Sequence, residues 1–373
     1  MHHCRGFPIQ EISRGNFMVN VSPRSAKGAR LIGEEVSPQL SGRPTVEQSS
    51  RARRWLVAAV RRLHEKPLVF PLMVNFFRVL QNLGISITPN HFYWPVPDVS
   101  ELEKRDWCKY PLPGGVSLNE QDQLGRELAA FAAECDFQSG PCDDCAYHYN
   151  NGYFEAVDAE VAYGLVRRSK PIRIVEIGTG YSTRVLAAAL ERNAACDGVE
   201  GSLVSIDPSP ERLPGAHWNE RLQQVPRAVQ DVELELFDEL ASGDILFIDS
   251  SHVVATGSDV TREYLQILPR LRRGVLVHIH DIFLPFDYPR DAVLNKLWFW
   301  SEQYLLQAFL SFNREFEVLW AASAMQAYHP MALEQCFPNW RHSYRNMPKS
   351  KRRFVPTADG DRVWPSSFWM RRV

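Results

Sequence analysis

The sequence predicts an α/β protein: a doubly wound, mostly parallel sheet with an antiparallel C-terminal strand, preceded by an N-terminal helical extension. Three observations predict it. From about residue 152, short apolar runs alternate with stretches of helical length, the pattern of strands joined by crossover helices. The first of these strands closes on a glycine turn, "IVEIGTGYSTR" (174–184). The last two β-like runs, "FEVLWAASAM" (316–325) and "SSFWMRR" (366–372), have no crossover helix between them, which suggests an antiparallel hairpin at the sheet edge.

Residues 1–50 are rich in Ser, Pro, Gly and Arg without periodicity and are expected to be poorly ordered. Helical patterning covers about 51–83, followed by "ITPNHFYWPVPDVSEL" (87–102), where Pro89, Pro95 and Pro97 forbid a regular helix. Leu118, Leu124, Leu128 and Phe131 recur near helical spacing over 118–135. Thereafter a helix over "YFEAVDAEVAYGLVRRSK" leads to strand 172–178, and "TRVLAAALERN" leads to strand 202–207. A short strand near 222–225 and a helix over "ELELFDELAS" precede strand 244–249; "DVTREYLQILPRLRR" then leads to strand 274–280. A long helix over about 290–312 precedes the closing pair.

Composition excludes several classes. With 45 % hydrophobic and 23 % charged residues and a net charge of −2, the chain reads as globular. It carries no polyelectrolyte signal for nucleic acid. Seven cysteines, odd in number and mostly scattered, argue for a reducing, cytoplasmic setting without a disulfide framework. No signal peptide is visible, and "PLVFPLMVNFFRVLQNLGI" (67–85), interrupted by two prolines, Asn75 and Arg78, is too short to span a bilayer. Together with the basic "RARRWLVAAVRRLHEK" before it, it could lie on a membrane surface or cover a neighbouring domain.

In open parallel sheets, ligands sit beyond the carboxyl ends of the strands. Gly178 and Gly180 let the backbone turn tightly and leave room for a ligand beside the next helix, flanked by Thr179 and Ser182. Glu176 lies inside an apolar strand, where an unpaired charge is expensive, so a polar or cationic ligand would explain it. Asp207 ends the next strand, where a carboxylate can accept both hydroxyls of a ribose; Gln230 and Asp231 stand where an adenine edge would lie. A nicotinamide dinucleotide wants a third glycine where Thr183 stands, and an acid earlier than Asp207. S-adenosylmethionine fits better, and a nicotinamide-dependent oxidoreductase is the alternative, together with a non-catalytic scaffold that keeps the nucleotide-binding fold.

On these residues the sequence resembles the class I S-adenosylmethionine-dependent methyltransferases over roughly 148–373. "VEIGTGYSTR" looks like their first motif, Asp207 matches the ribose-binding acid, and "ILFIDSSH" (245–252) resembles the fourth-strand motif. A narrower resemblance, to bacterial O-methyltransferases of sugar and natural-product pathways, rests on "HYNNGYFEAVDAE", "VHIHDIFLPFDYP" (277–289) and "FWSEQYLLQAFLSFN" (299–313). The resemblance implies a Rossmann-like sheet of seven strands with the last reversed, a methyltransferase domain over 148–373 behind a helical and Pro/aromatic-rich extension over 51–147, and S-adenosylmethionine as donor. It leaves the acceptor open.

Methyl transfer to a hydroxyl needs alignment of two groups and removal of a proton. Asp249, Ser250, Ser251 and His252 follow the fourth strand; His278, His280 and Asp281 close the fifth. Adjacent parallel strands would bring the two groups together. Asp249, His252, His280 and Asp281 are therefore the catalytic candidates, with either His252 or His280 as general base, and Asp249 borders the donor as well. Asp249, His280 and Asp281 are also a candidate set for a divalent metal such as Mg²⁺, as in some related O-methyltransferases. "CDDCAYH" (142–148) offers only one Cys-x-x-Cys and is read as loop cysteines rather than zinc. "HFYWPVPD" (91–98) and "FLPFDYP" (283–289) are expected to wall the acceptor pocket, with Tyr153, Tyr181, Phe286 and Tyr288 lining it and Trp298 and Trp300 in the core.

Overall fold

A computed structural model of the chain describes residues 69–86, 95–107, 109–135, 137–139, 147–149, 151–209, 220–340 and 365–373. The expectations for 1–68, for "HFYW" and for the paired cysteines of "CDDCAYH" lie outside these residues. The chain divides into two compact units, 1–87 and 88–373. Of the first, the described part is helix α1 (Val69–Asn82), and among the described residues no helix is long and apolar enough to cross a membrane.

The second unit is built on a seven-stranded sheet in the order β3-β2-β1-β4-β5-β7-β6, with β1 Arg173–Ile177, β2 Ser202–Ile206, β3 Leu222–Val225, β4 Ile245–Ile248, β5 Leu276–Ile279, β6 Phe316–Ala321 and β7 Phe368–Arg372. Strands β1 to β5 pair in parallel, and β7 lies antiparallel between β5 and β6. Near-continuous apolar sequences such as "ILFI" and "LVHI" make strands buried on both faces. Along β4, Ile245 and Phe247 join the core on one face, while Leu246 and Ile248 join the other.

Helices α2 (Val99–Leu102), α3 (Leu118–Ala132), α4 (Asp158–Ser169) and α5 (Tyr181–Asp197) precede or follow β1. The expected irregular stretch over 87–102 therefore ends in one helical turn, nucleated by Asp98, whose side chain accepts the Ser100 N–H at 3.0 Å. Of the helix expected over "ELELFDELAS", only the single turn α6 (Glu235–Asp238) forms. After β4, α7 (Asp259–Arg262) widens into a π turn over Glu263–Ile267.

Two C-terminal expectations are corrected. The long helix over 290–312 is broken: a π turn over Asp291–Asn295 ends near Leu297, whose φ is +57°, and α8 starts afresh at Glu302–Phe312. The break is held by the His252 carbonyl, which accepts the Ser301 and Glu302 N–H groups at 2.8 and 3.1 Å. The closing strands are also not a plain hairpin. "ASAM" leaves β6 to start α9 (Ala322–Tyr328), α10 (Pro330–Cys336) follows, and β7 returns on the inner side of β6.

Candidate active site

The glycine turn is fixed from below. Gly178 has φ +96°, and a Cβ there would lie 2.1 Å from the Asp249 carbonyl oxygen, so the ends of β1 and β4 approach too closely for any other residue. Glu176 is fully buried, and its two oxygens accept the Ser182 and Thr183 hydroxyls, each at 2.7 Å. The expense of a buried carboxylate is thus met inside the chain rather than by a ligand, and burial pushes its pKa up to about 7. Glu176 and Ser182 form the floor that joins the turn to α5.

Asp207 tethers the turn from the next strand. Its carboxylate accepts the Thr179 N–H at 3.0 Å and the Ser209 N–H at 2.7 Å, and the Thr179 hydroxyl meets that of Ser205 at 2.7 Å. Among the described residues, nothing lies within 4 Å of the place a Cβ on Gly180 would take, so this side of the turn is open. Gln230 and Asp231 are exposed on the short helical turn after β3. The structure therefore sets Gly178, Thr179, Gly180 and Asp207 side by side, while Gln230 reaches the Gly257 carbonyl at 3.2 Å.

At the ends of β4 and β5 the four catalytic candidates do meet. His252 Nε2 lies 3.4 Å from Asp249 and 3.5 Å from Asp281; His280 Nδ1 lies 3.4 Å from Asp249 and 3.7 Å from Asp281. The side chains of His252, His280 and Asp281 are 5 % exposed or less, whereas Asp249 is 31 % exposed. The network opens to solvent at Asp249.

Charge follows from that enclosure. Burial works against each ion, but the imidazoles of His280 and His252 outweigh it and hold Asp249 well below the usual carboxylate range. Burial likewise disfavours the imidazolium of His280, yet Asp249, Asp281 and Asp158 bring it up to about 10. Asp249, Glu302 and Asp281 do the same for His252, which stands well above the usual histidine range. His278 differs. Burial and the neighbouring His280 push it well below that range, it stacks on Phe247 at 3.7 Å, and Ser367 bonds its Nε2 at 2.8 Å. It is a core group.

Asp249, His280 and Asp281 each offer a donor atom, all within 4.8 Å of one another, so the set expected for a metal converges.

Residues 175–282, which contain both strand-end clusters, match the family model described as a methyltransferase domain. Over these residues the chain is similar to methyltransferase domains. An uncharacterised protein of Archaeoglobus fulgidus is 28 % identical over 169 residues, covering 43 % of this chain and 76 % of that protein. Among solved structures, the chain is similar to an S-adenosylhomocysteine-bound methyltransferase of Podospora anserina, at 16 % identity and a TM-score of 0.33, covering 59 % of this chain and 88 % of the other. It is similar also to an Anabaena variabilis protein described as a putative methyltransferase from an antibiotic biosynthesis pathway, at 12 % identity and a TM-score of 0.33, covering 60 % and 100 %. The family match speaks against a nicotinamide-dependent oxidoreductase.

Three residues around the site, all outside the matched stretch, escaped the sequence reading. Glu302, fully buried at the start of α8, receives His252 Nδ1 at 2.9 Å. Asp158, the first residue of α4, lies 3.6 Å from His280 Nε2 and accepts the Ser366 and Ser367 N–H groups. Trp300, expected in the core, is half-buried edge-on against His252 at 4.9 Å. The signal for Glu302 was present, a lone acid in the apolar "WFWSEQYLL", but the presumed continuous helix hid it. Of the expected lining groups, Tyr153 is exposed and stacks on Tyr181 at 6.1 Å, and Phe286 is half-buried. Tyr288 is buried, its hydroxyl accepting the Gln303 N–H at 3.0 Å, so it supports the 283–289 loop instead of lining an opening.

Proposed function

We propose that the chain transfers the methyl group of S-adenosylmethionine to a hydroxyl of a small molecule or sugar. The observation that carries this reading is the position of Asp249. It is the exposed member of a buried acid–imidazole network, and its backbone packs directly on Gly178 of the glycine turn. A donor at the turn and an acceptor at Asp249 would therefore be neighbours.

Gly178, Thr179, Gly180 and Asp207 would hold the adenosine side of the donor, with Gln230 and Asp231 beside the adenine and Glu176 and Ser182 supporting from beneath. The donor supplies an electrophilic methyl on a sulfonium. As the acceptor oxygen bonds to that carbon and the carbon–sulfur bond breaks, the hydroxyl proton must leave. Asp249, kept ionised and open to solvent, accepts the hydroxyl's hydrogen bond and orients it, and the proton released as the new bond forms passes to water. His252 and His280 balance the charge behind it, and Asp281 holds both imidazoles in place.

A divalent ion on Asp249, His280 and Asp281 is a second reading, favoured by their convergence. Two carboxylates and an imidazole suit Mn²⁺ or Zn²⁺ better than Mg²⁺. Such an ion would polarise the acceptor hydroxyl and lower its pKa.

The test is direct. Titration with S-adenosylhomocysteine and with NADH should give binding of the former only; the reverse would overturn the donor assignment. With hydroxyl acceptors screened at saturating donor, Asp249→Asn should abolish transfer while retaining S-adenosylhomocysteine affinity. Dialysis against a chelator, with and without added Mn²⁺, reads the metal.

A further inference from the structure

The segment "HYNNGYFEAVDAE" (148–160) is built with more care than a connector needs. The Asn151 side chain makes four hydrogen bonds. Its amide donates to the His148 and Phe154 carbonyls at 2.7 Å, and its oxygen accepts the Tyr153 and Phe154 N–H groups at 2.8 Å. The Tyr147 hydroxyl bonds the same Phe154 carbonyl. Its loop part ends at Val157, the residue before α4, a β-branched residue held at φ +71°. That left-handed conformation is strained for valine and persists when the surroundings over-determine it.

This rigid turn faces both halves of the site. Tyr153 stacks on Tyr181, the residue after Gly180, and the Phe154 ring lies 5.3 Å from that of His280. Glu155, next in the chain after Phe154, is 8 % exposed. Its Oε1 accepts the Gly152 N–H, but its Oε2 is buried with no hydrogen-bond donor among the described residues. A buried, unsatisfied carboxylate oxygen costs stability unless something supplies the missing donor. The titratable groups whose fields reach it, Asp158, Tyr147 and Tyr181, are acids that bring no positive charge.

We propose that Glu155 receives the ammonium group of the donor's amino-acid tail, in a subsite walled by Tyr153 and Tyr181. The inference rests on the donor reading above. With adenosine on the β2 and β3 side of the glycine turn, the amino-acid tail leaves the sulfur on the opposite side, where this segment crosses. A cation fits the site better than a neutral group. Burial keeps the Glu155 carboxyl up at about 8, and a bound ammonium restores both its charge and the missing donor.

The experiment compares two ligands that differ only in the tail. S-adenosylhomocysteine carries the ammonium; 5′-methylthioadenosine lacks the whole amino-acid tail. In the full chain, Glu155→Gln should weaken S-adenosylhomocysteine by about ten- to a hundredfold, the range for a lost hydrogen bond to a charged group, and leave 5′-methylthioadenosine unchanged. Equal weakening of both ligands, or of neither, would overturn the proposal. Should the variant not fold, the wild type still decides. The deaminated analogue of S-adenosylhomocysteine, which keeps the tail carboxylate, should bind about tenfold or more weaker, and equal affinity would overturn the assignment. Failure of the wild type to bind either adenosine ligand would instead remove the donor reading itself.

Discussion

His252 and Glu302, fifty residues apart, meet through Nδ1 and Oε2 at 2.9 Å with both side chains buried. One ring nitrogen of His252 is thereby committed, and the other is left to face Asp249 and Asp281. An imidazole held this way has a fixed orientation, with a carboxylate facing each ring nitrogen.

Glu302 is accordingly expected to act as a positioning residue. Glu302→Gln should lower kcat by about 10- to 100-fold while leaving S-adenosylhomocysteine affinity within about twofold, because Glu302 touches no part of the glycine turn. Steady-state kinetics beside a binding titration reads this. A parallel fall in affinity would mean a general disturbance of the fold, and unchanged kcat would dismiss the role.

The two glycines of the turn should separate stability from binding. At Gly178 an alanine methyl meets the Asp249 carbonyl at 2.1 Å in a backbone conformation with φ +96°. Gly178→Ala should therefore cost about 3 kcal/mol or more and lower Tm by roughly 6–12 °C. Gly180 is extended, with φ −174°, and faces open space. Gly180→Ala should leave Tm within about 2 °C yet weaken the donor, since the added methyl occupies the ligand's side of the turn. Thermal melts with and without S-adenosylhomocysteine distinguish the two, and equal Tm losses would refute the contrast.

Glu176 predicts a pH dependence of stability. Burial raises its folded-state pKa to about 7, so between about pH 4.5 and 7 the folded chain binds the extra proton and the unfolded chain does not. Its contribution is complete below that window and is lost as pH rises through it. Glu176→Gln does not titrate. The stability of this variant relative to wild type should therefore improve on going from about pH 5 to pH 8, by on the order of 3 kcal/mol. Denaturant melts of both proteins across this range test it; a difference independent of pH would show that the carboxylate is not held neutral.

How far the sequence carried depends on the range of the interaction. Strands β1 to β5 were legible because each is a short apolar run between helical stretches, and the glycine turn because a positive φ leaves few choices of residue. Asp249, His252, His280 and Asp281 were legible as a cluster because adjacent parallel strands end together. Glu302 was not, because apolar periodicity runs unbroken through "KLWFWSEQYLL", and only the His252 carbonyl reveals where the helix restarts. Glu176 was visible as a buried acid, but its partners were assigned to a ligand when Ser182 and Thr183, in the first turn of the next helix, already supplied them. Asp158 was hidden by distance, since its partners lie more than two hundred residues downstream.

Asp158 joins the start of α4 to β7. Its two carboxylate oxygens accept the Ser366 and Ser367 N–H groups at 2.9 and 3.0 Å, and the Ser366 hydroxyl in turn bonds Asp281 at 3.2 Å. Asp158→Ala leaves two buried backbone donors unsatisfied, each costing about 1–3 kcal/mol, so Tm should fall by roughly 4–24 °C. The loss should be local before it is global: hydrogen exchange ought to accelerate first in β7, and only then in β5, which β7 covers. Since Asp281 takes its bond from Ser366, transfer should weaken in the same variant even well below its Tm. Retained protection of β7 together with full activity would mean that the strand is held by its ladder to β5 and β6 alone, and that the carboxylate of Asp158 is dispensable to the site.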